Sequence, residues 1–107
     1  MGRNSIDIIK SGGYKISALE IEEILRQYST IDDCAVVGIN DDEWGELIVA
    51  AVILKKDTLL NEIELNNWFV QRTAAYKKPR KYLVVSELPR NAMGKVVKNE
   101  LKKLFNF

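Results

Sequence analysis

The sequence predicts a small α+β domain, with a central sheet of about three strands flanked by helices and an N-terminal β-hairpin. Two observations lead to this prediction. Apolar runs rich in β-branched residues, which suit strands, alternate with segments whose apolar residues recur at helical spacing. The chain also has 107 residues, 47% hydrophobic and 29% charged, which is typical of one folded domain. The predicted order is strand, turn, helix, strand, strand, helix, strand, loop, helix.

The N-terminal part predicts a strand, a turn and a helix. Residues 5 to 10 alternate in polarity and are rich in isoleucine, as short strands often are. The glycine turn SGGYK, residues 11 to 15, comes next. Ser17 lies three residues before Glu20, a spacing typical of a capping box. Apolar residues then recur at helical spacing and predict a helix from 18 to 28, with Ile21, Ile24, Leu25 and Tyr28 on one face.

The middle of the chain predicts two strands. The apolar run at residues 33 to 39 is bounded by turn residues and indicates a buried strand. Cys34 lies in this run and is interpreted as a buried small hydrophobic residue. Residues 47 to 55 are rich in β-branched side chains and long enough for a central strand. Between them, the segment DDEWGE, residues 41 to 46, predicts a loop.

The C-terminal part predicts a helix, a strand, a loop and a final helix. Asn61 and Glu64 form a second capping-box pattern. Pro79 is expected to end the helix that follows, because the residue before a proline disfavours the α conformation. Residues 81 to 88 predict a strand, and residues 89 to 94 predict a loop. The apolar helical positions are Leu65, Phe69 and Tyr76 in the first helix, with Trp68 beside them, and Val97, Leu101, Leu104 and Phe105 in the second.

The composition excludes several classes of function. Sixteen basic and fifteen acidic residues give a net charge of +1, which is no overall signature of nucleic-acid binding. With no histidine and one cysteine, the chain offers no histidine-based triad, no structural zinc site and no internal disulfide. The apolar runs are far shorter than the roughly 20 residues that span a bilayer, and no signal peptide is recognised. We therefore expect an intracellular protein, in the cytoplasm or, if the source is eukaryotic, in the mitochondrion.

Four local features invite either a structural or a functional interpretation. The glycines of KSGGYK form a tight turn, or they let the backbone approach a ligand. The segment YKKPRK, residues 76 to 81, ends a helix in solvated charges, or it binds phosphate beside an aromatic ring. Trp44 folds onto the core, or it offers a ring face to a flat ligand. Lys95 alone is best interpreted as a surface lysine, but together these features favour a nucleotide or phosphate ligand.

Three longer stretches resemble segments of one known family, in the same order and spacing. They are GRNSIDIIKSGGYKISALEIEEIL, AVVGINDDEWGELIVAAVIL and YKKPRKYLVVSELPRNAMGKVVKNEL, which together cover nearly the whole chain. These stretches resemble the C-terminal subdomain of adenylate-forming enzymes, which include acyl-CoA synthetases, luciferases and the adenylation domains of peptide synthetases. The first stretch is most similar to the malonyl-CoA synthetase branch of the acyl-CoA synthetases.

The resemblance implies that residues 1 to 107 are the C-terminal subdomain of an AMP-forming acid–thiol ligase. In this family a carboxylate and ATP form an acyl-adenylate, the C-terminal domain rotates, and CoA then displaces AMP as a thioester. The implied ligands of the whole enzyme are ATP, Mg²⁺, CoA and a small carboxylic acid, in the setting of fatty acid metabolism. The N-terminal domain that binds ATP and the acyl group is absent from this chain. We therefore expect the chain alone to be inactive and to bind none of these ligands tightly.

The resemblance also assigns roles to individual residues. Lys95 matches the lysine of the adenylation step, where an ammonium neutralises charge near the α-phosphate. The loop for the thioester step comprises Lys10, Ser11, Gly12, Gly13 and Tyr14, and its glycines are expected to line a tunnel for the pantetheine arm. The nucleotide of CoA is assigned to Trp44, Tyr76, Lys78 and Arg80, with the rings near the adenine and the cations near the phosphates.

The hinge of the implied domain rotation falls at Arg3 and Ser5. The family usually has Asp or Lys two residues after the arginine, whereas this chain has Ser5, so the pivot is Ser5 or Ile6. No metal ligand is implied within this chain, and the implied partner is its own N-terminal domain, with no nucleic acid and no membrane span.

Two alternatives remain open. One is the adenylation domain of a peptide synthetase, which loads a carrier protein and does not need a CoA nucleotide site. The other is a non-catalytic α+β interaction module.

Overall fold

A computed structural model of the chain describes residues 8 to 105, and its first feature is a β-hairpin. Strand β1 (Ile8–Ser11) pairs antiparallel with strand β2 (Tyr14–Ser17). Gly12 and Gly13 form the two-residue turn, with φ angles of +59° and +87°. Positive φ at both central positions is typical of a type I′ hairpin turn, which glycine adopts without strain. The predicted N-terminal hairpin is therefore confirmed.

In the described part of the chain, three further strands complete a five-stranded sheet. Strands β3 (Ile31–Asp41) and β4 (Gly45–Leu54) form a long antiparallel hairpin, and strand β5 (Lys81–Val84) runs parallel to β4. The first hairpin joins the same sheet where Ser11 pairs with Gly45. The strand order is β2-β1-β4-β3, with β5 also beside β4. The sheet thus unites the three predicted central strands with the predicted hairpin.

Within residues 8 to 105, three α-helices and one short 3₁₀ helix connect and cover the strands. Helix α1 (Ala18–Leu25) follows the first hairpin, and helix α2 (Glu62–Val70) follows β4. The 3₁₀ helix (Ala75–Lys77) precedes β5, and helix α3 (Lys98–Lys103) comes last. Among the described residues, 8 to 105, no helix combines the length and apolar character that a bilayer crossing needs.

Both predicted helix caps are present. The side-chain oxygen of Ser17 accepts a hydrogen bond from the backbone N–H of Glu20 at 3.2 Å, and that of Asn61 accepts one from Glu64 at 3.1 Å. Each satisfies one of the N–H groups that a helix N-terminus leaves unpaired. The carboxylate of Glu20 binds Lys77 instead of turning back to the cap. A tertiary ion pair has therefore replaced the second half of the first capping box.

The core lies on both faces of the sheet because β3 and β4 alternate between two apolar clusters. Buried residues of the first cluster include Ile21, Leu25, Cys34, Val36, Ile48, Ala50, Val52, Leu65 and Phe69, so α1 and α2 cover this face. Buried residues of the second cluster are Ala35, Val37, Val49, Ala51, Leu88, Leu101 and Phe105, so α3 covers the other. Side chains of a strand point alternately to opposite faces, which explains the division. The expectation that Cys34 is buried is confirmed.

Two predicted helix boundaries were wrong. Helix α1 ends at Leu25 rather than at residue 28, because Gln27 and Tyr28 donate to carbonyls three residues back and the chain then enters β3. Helix α2 ends at Val70, so Tyr76 does not share its apolar face and Pro79 does not end it.

Two further details differ from the prediction. Strand β5 stops at Val84 rather than at residue 88, since β4 ends only two residues beyond Val52, the partner of Val84. Leu104 is exposed, because helix α3 ends at Lys103 and the buried positions at this end are Leu101 and Phe105. The predicted residues 5 to 7 of the first strand lie outside the described part of the chain.

Candidate functional site

The glycine turn between β1 and β2 lies against Trp44. The backbone N–H of Gly12 donates to the Trp44 carbonyl at 2.9 Å. A Cβ on Gly12 would lie only 3.0 Å from the Trp44 ring, whereas a Cβ on Gly13 would have no atom within 4 Å. Gly12 therefore packs against Trp44, and Gly13 lies on the open side of the turn.

Two aromatic contacts join this turn to the segment before β5. The Tyr14 and Tyr76 rings stack with centroids 4.0 Å apart and an interplanar angle of 14°. The Arg80 guanidinium lies 4.4 Å from the centroid of the Trp44 ring, a cation–π contact. We call the surface formed by Gly12, Tyr14, Trp44, Tyr76 and Arg80 the aromatic surface. It contains most of the residues that the sequence assigned separately to the thioester-step loop and to the CoA nucleotide.

The basic segment around Pro79 contributes fewer unpaired cations than its sequence suggests. Lys77 donates to both carboxylate oxygens of Glu20, at 3.1 and 3.2 Å. Arg80 lies over the Trp44 ring, and its backbone N–H donates to the Ile48 carbonyl at 2.7 Å. Lys78 is half-buried beside the buried Pro79. Of Lys77, Lys78 and Arg80, the last two remain able to meet a phosphate.

The other residues of the thioester-step loop lie at the base of the same turn. The backbone N–H of Lys10 donates to Glu46 Oε1 at 2.8 Å, while the Lys10 side chain is exposed. Ser11 is buried and pairs with Gly45. These contacts tie the turn to the β3–β4 hairpin on its inner side.

Lys95 belongs to a separate, tightly bonded loop, residues 90 to 96, which we call the Lys95 loop. Asn91 Oδ1 accepts from the N–H groups of Met93 and Lys95, at 2.9 and 3.1 Å. The Asn91 N–H donates to the Lys95 carbonyl at 2.9 Å, and Gly94 takes a φ of +83°. Among the described residues, the exposed Lys95 ammonium makes no hydrogen bond or ion pair. The loop is therefore ordered around a lysine that points to solvent.

An ion-pair network anchors the start of the Lys95 loop. Arg90 donates through Nη1 to the Gly94 carbonyl at 2.8 Å and through Nη2 to Asp33 Oδ2 at 3.0 Å. The second carboxylate oxygen, Asp33 Oδ1, accepts from Arg26 Nε at 3.0 Å and from the Cys34 N–H at 2.8 Å. Asp33 thus links the loop to the beginning of β3 and the end of α1.

A buried carboxylate anchors the other end of the loop. Glu22 Oε2 accepts from Lys98 Nζ at 2.6 Å and from the Val36 N–H at 2.8 Å. Lys98 Nζ also donates to the Val36 carbonyl at 2.7 Å. Lys98 is the first residue of α3 and lies three positions after Lys95. The Lys95 loop is consequently held on both sides.

The two loops lie near opposite ends of β3. The Lys95 loop is tied to Asp33 near the first residue of the strand, and the glycine turn is tied to Trp44 just beyond its last residue, Asp41. Asp33 and Asp41 are eight residues apart, or roughly 26 Å at the usual rise of about 3.3 Å per residue. The two loops therefore lie on separate parts of the surface.

The surroundings of the network shift the pKa values of Asp33 and Cys34. Partial burial opposes ionisation of Asp33, but the hydrogen bonds from Arg26 and Cys34 and the nearby guanidinium charges outweigh it and lower its pKa. Burial raises the pKa of the Cys34 thiol to about 12, against a smaller opposing effect of Arg26. Cys34 is therefore protonated at neutral pH and unsuited to nucleophilic chemistry.

Sequence reasoning missed the anchors of the Lys95 loop. Glu22 lies on the buried face of α1 with Ala18, Ile21 and Leu25. An acidic residue on a buried helix face indicates a basic partner, because a buried charge must be paired. Arg90 carried no such signal, because its partner Asp33 is 57 positions away. The predicted hinge residues, Arg3 and Ser5 or Ile6, lie outside the described residues.

The chain is similar to known proteins over most of its length. Residues 20 to 95 match the family model described as the AMP-binding enzyme C-terminal domain.

The chain belongs to this family.

Curated relatives of this AMP-binding C-terminal domain include CoA ligases. It is 48% identical over 100 residues to a Bos taurus malonate–CoA ligase described as mitochondrial, covering 94% of this chain and 17% of that protein. It is 43% identical over 113 residues to the malonate–CoA ligase of Arabidopsis thaliana, covering 96% of this chain and 19% of that protein.

A solved structure extends the comparison to the fold. The ATP-bound crystal structure of MatB from Rhodopseudomonas palustris has a TM-score of 0.89 at 30% identity, over 94% of this chain and 20% of that one. The α+β architecture predicted from the sequence is thus that of this family. The chain spans about a fifth of the length of these relatives.

Proposed function

We propose that this chain is the mobile C-terminal domain of an ATP-dependent acyl-CoA synthetase, an acid–thiol ligase that forms AMP. The observation that carries the proposal is the placement of two exposed loops near opposite ends of β3, Lys95 on one and the glycine turn on the other. Two successive half-reactions in one active site would each require one of these loops. Rotation of the domain between the half-reactions would exchange them.

In the first half-reaction, a carboxylate oxygen attacks the α-phosphorus of ATP and pyrophosphate leaves. We assign Lys95 to this step. Its ammonium is exposed and makes no hydrogen bond or ion pair among the described residues, so it is ready to meet the negative charge that develops during transfer. The bonded loop beneath it limits the freedom of the backbone, which favours a defined position for the charge.

In the second half-reaction, the thiol of CoA attacks the acyl carbon of the adenylate and AMP leaves. We assign the glycine turn to this step, with Lys10, Ser11 and Tyr14 as its flanking residues. Gly13 leaves open space on the outer side of the turn, where a narrow chain such as pantetheine can pass.

The aromatic surface next to this turn is proposed to bind the nucleotide of CoA. Arg80 and Lys78 would meet its phosphates, because charge-assisted hydrogen bonds to phosphate are strong. Trp44 and Tyr76 would contact the adenine, because the two residues remain 37% and 42% exposed beside their contacts with Arg80 and Tyr14. The glycine turn and the proposed nucleotide site lie on one surface. This supports CoA, rather than a carrier protein, as the acyl acceptor.

The remaining components would come from the rest of the enzyme. Residues 8 to 105 contain no group of three or more histidine, cysteine, aspartate or glutamate side chains arranged for a metal, so we assign none of them to Mg²⁺ and derive no step through it. The proposed partner is an N-terminal domain that binds ATP and the carboxylate. Malonate is the first carboxylate to test, since the relatives named above are malonate–CoA ligases. An intracellular location, cytoplasmic or mitochondrial, is proposed, since the Bos taurus relative is described as mitochondrial.

The test separates the two half-reactions in the intact ligase that contains this chain. Lys95→Ala should slow formation of malonyl-adenylate by about a hundredfold or more, the usual cost of removing one transition-state charge contact. Conversion of supplied malonyl-adenylate to the thioester should change by less than about twofold, because the glycine turn is intact. Lys56→Ala, at an exposed lysine in the turn after β4, is the matched control.

Other outcomes would point to the alternatives. Equal losses in both half-reactions would overturn the assignment of Lys95. Acyl transfer to a carrier protein but not to CoA would indicate a peptide-synthetase domain. Full ligase activity after removal of residues 90 to 96 would indicate an interaction module.

A further inference from the structure

We infer that Arg90, held by Asp33, is the positioning residue for Lys95. This inference rests on the proposed role of Lys95 in adenylation. Arg90 opens the Lys95 loop and forms an isolated β-bridge with Val96, which closes it. Its guanidinium then reaches two acceptors: the Gly94 carbonyl inside the loop at 2.8 Å, and Asp33 on the sheet at 3.0 Å. One side chain therefore fixes the peptide next to Lys95 and ties it to the sheet.

The planar shape of the guanidinium makes this arrangement possible. An arginine presents several N–H donors in a rigid fork, so holding one acceptor orients the donor that faces the other. A lysine has a single nitrogen on a flexible stem and cannot hold both acceptors in the same way. The Gly94 carbonyl belongs to the peptide that joins Gly94 to Lys95, and Gly94 itself has a φ of +83°. A displaced Gly94 would therefore displace Lys95 directly.

Asp33 is itself a fixed acceptor. Its other carboxylate oxygen accepts from Arg26 and from the Cys34 N–H, so its orientation does not depend on Arg90. Those bonds lie near the start of β3, next to Cys34 and Ala35, which are buried on opposite faces of the sheet. The connection from the core to Lys95 thus runs from Asp33 through Arg90 to the Gly94 carbonyl.

Because Arg90 and Asp33 are partly exposed, we expect their ion pair to position the Lys95 loop rather than to stabilise the fold. The Arg90 and Asp33 side chains are 43% and 29% exposed, and ion pairs at such positions add little to folding stability. A rate can depend strongly on geometry, since a misplacement of about 1 Å can cost about a hundredfold. Loss of Arg90 should therefore spare the fold and impair the step that uses Lys95.

The first test needs only this chain. In Arg90→Lys and Arg90→Ala, the backbone amides of Gly94 and Lys95 should exchange with solvent at least about tenfold faster than in the parent chain, as expected when a local opening becomes easier. The thermal midpoint should stay within a few degrees. Arg72→Lys is the matched control, because Arg72 is another exposed arginine that lies over Trp68 and donates to its carbonyl, away from the loop. Unchanged exchange at Gly94 and Lys95 would overturn the inference.

The second test uses the intact ligase. Arg90→Ala should slow adenylation about ten- to a hundredfold without changing the rate of the thioester step. Arg90→Lys should slow adenylation less than Arg90→Ala does. Asp33→Asn should give a similar loss, and the double variant should lose no more than Arg90→Ala, since both residues act through one contact. Additive losses would instead indicate that Arg90 touches the substrate itself, and would overturn the positioning role.

The two proposals fail in different ways. If Lys95→Ala impairs adenylation but the Arg90 and Asp33 variants do not, the positioning role alone is wrong. If Lys95→Ala spares adenylation, the proposed function fails, and the catalytic part of this inference fails with it. The amide exchange result would then still report whether Arg90 orders the loop.

Discussion

Tyr14 and Tyr76 stack face to face, 4.0 Å between ring centroids, although they lie 62 positions apart in the chain. Tyr14 follows the glycine turn, and Tyr76 lies in the 3₁₀ helix before β5. The stack therefore sets the position of the turn relative to the basic segment. Each ring also covers one face of the other, so a planar ligand has access to the outer faces only, unless the stack opens.

Stacking should appear as a coupling free energy between the two tyrosines. We expect the free energy of unfolding of the double Tyr14→Ala, Tyr76→Ala variant to exceed the additive value by about 0.5–1.5 kcal/mol, the usual range for aromatic pairs. Urea denaturation of the four chains measures it. Tyr14→Phe should retain the coupling, since it keeps the ring. Strict additivity of the two alanine variants would contradict the stack.

The two glycines of the turn should differ in their tolerance of a methyl group. Gly12→Ala and Gly13→Ala should each lose about 1 kcal/mol, because an L-residue is strained at positive φ. Gly12→Ala should lose about 1 kcal/mol more, since its Cβ would lie 3.0 Å from the Trp44 ring. Urea denaturation of both variants checks the difference. Equal losses would mean that Gly12 does not lie against Trp44.

The partly buried pair of Glu22 and Lys98 should stabilise the fold measurably. We expect Lys98→Met to lower the free energy of unfolding by about 2–4 kcal/mol, because it removes a donor from the buried Glu22 carboxylate. Lys103→Met on the same helix removes an exposed pair with Glu100 and should cost less than about 0.5 kcal/mol. Chemical denaturation compares the two. Similar losses would show that burial of Glu22 has little energetic effect.

The buried thiol predicts a loss of stability at alkaline pH. Burial raises the pKa of Cys34 to about 12, while an unfolded thiol ionises near 9. The folded state therefore keeps the proton while the unfolded state loses it, and stability falls as the pH rises from about 9 towards 12. The fall attributable to this one group should approach about 1.4 kcal/mol per pH unit. Urea denaturation from pH 8 to 11 should show a shallower decline of the free energy of unfolding for Cys34→Ala than for the parent chain. Equal slopes for the two chains would refute the raised pKa of Cys34.

Local chemistry made much of the fold predictable. The apolar runs of β3 and β4, the caps at Ser17 and Asn61, and the paired glycines of the hairpin each depend on neighbours within a few residues. The helix ends were harder to predict. Tyr76 fits the spacing of the α2 face, yet α2 stops at Val70 and the chain passes through a 3₁₀ turn before β5. Tertiary contacts, including the stack with Tyr14, determine that path.

Part of the candidate site was likewise predictable from the sequence, and part was not. Lys95, the glycine turn and Trp44 were recognisable from the sequence. The structure brings the glycine turn into contact with Trp44. Ion pairs were not predictable, because fifteen acidic and sixteen basic residues allow very many pairings. Two of the observed pairs, Glu20 with Lys77 and Asp33 with Arg90, each join residues 57 positions apart. Only the folded chain brings them together.

The charged side chains around β3 have one more consequence. β3 is the outermost strand on its side of the sheet, and such an edge can add a strand from another molecule. At Cys34 the outward N–H and carbonyl are bonded to Asp33 and Arg26. At Val36 the corresponding groups are bonded to Glu22 and Lys98. An incoming strand would have to displace four charged side chains, so the bonds that hold the Lys95 loop also protect this edge against aggregation.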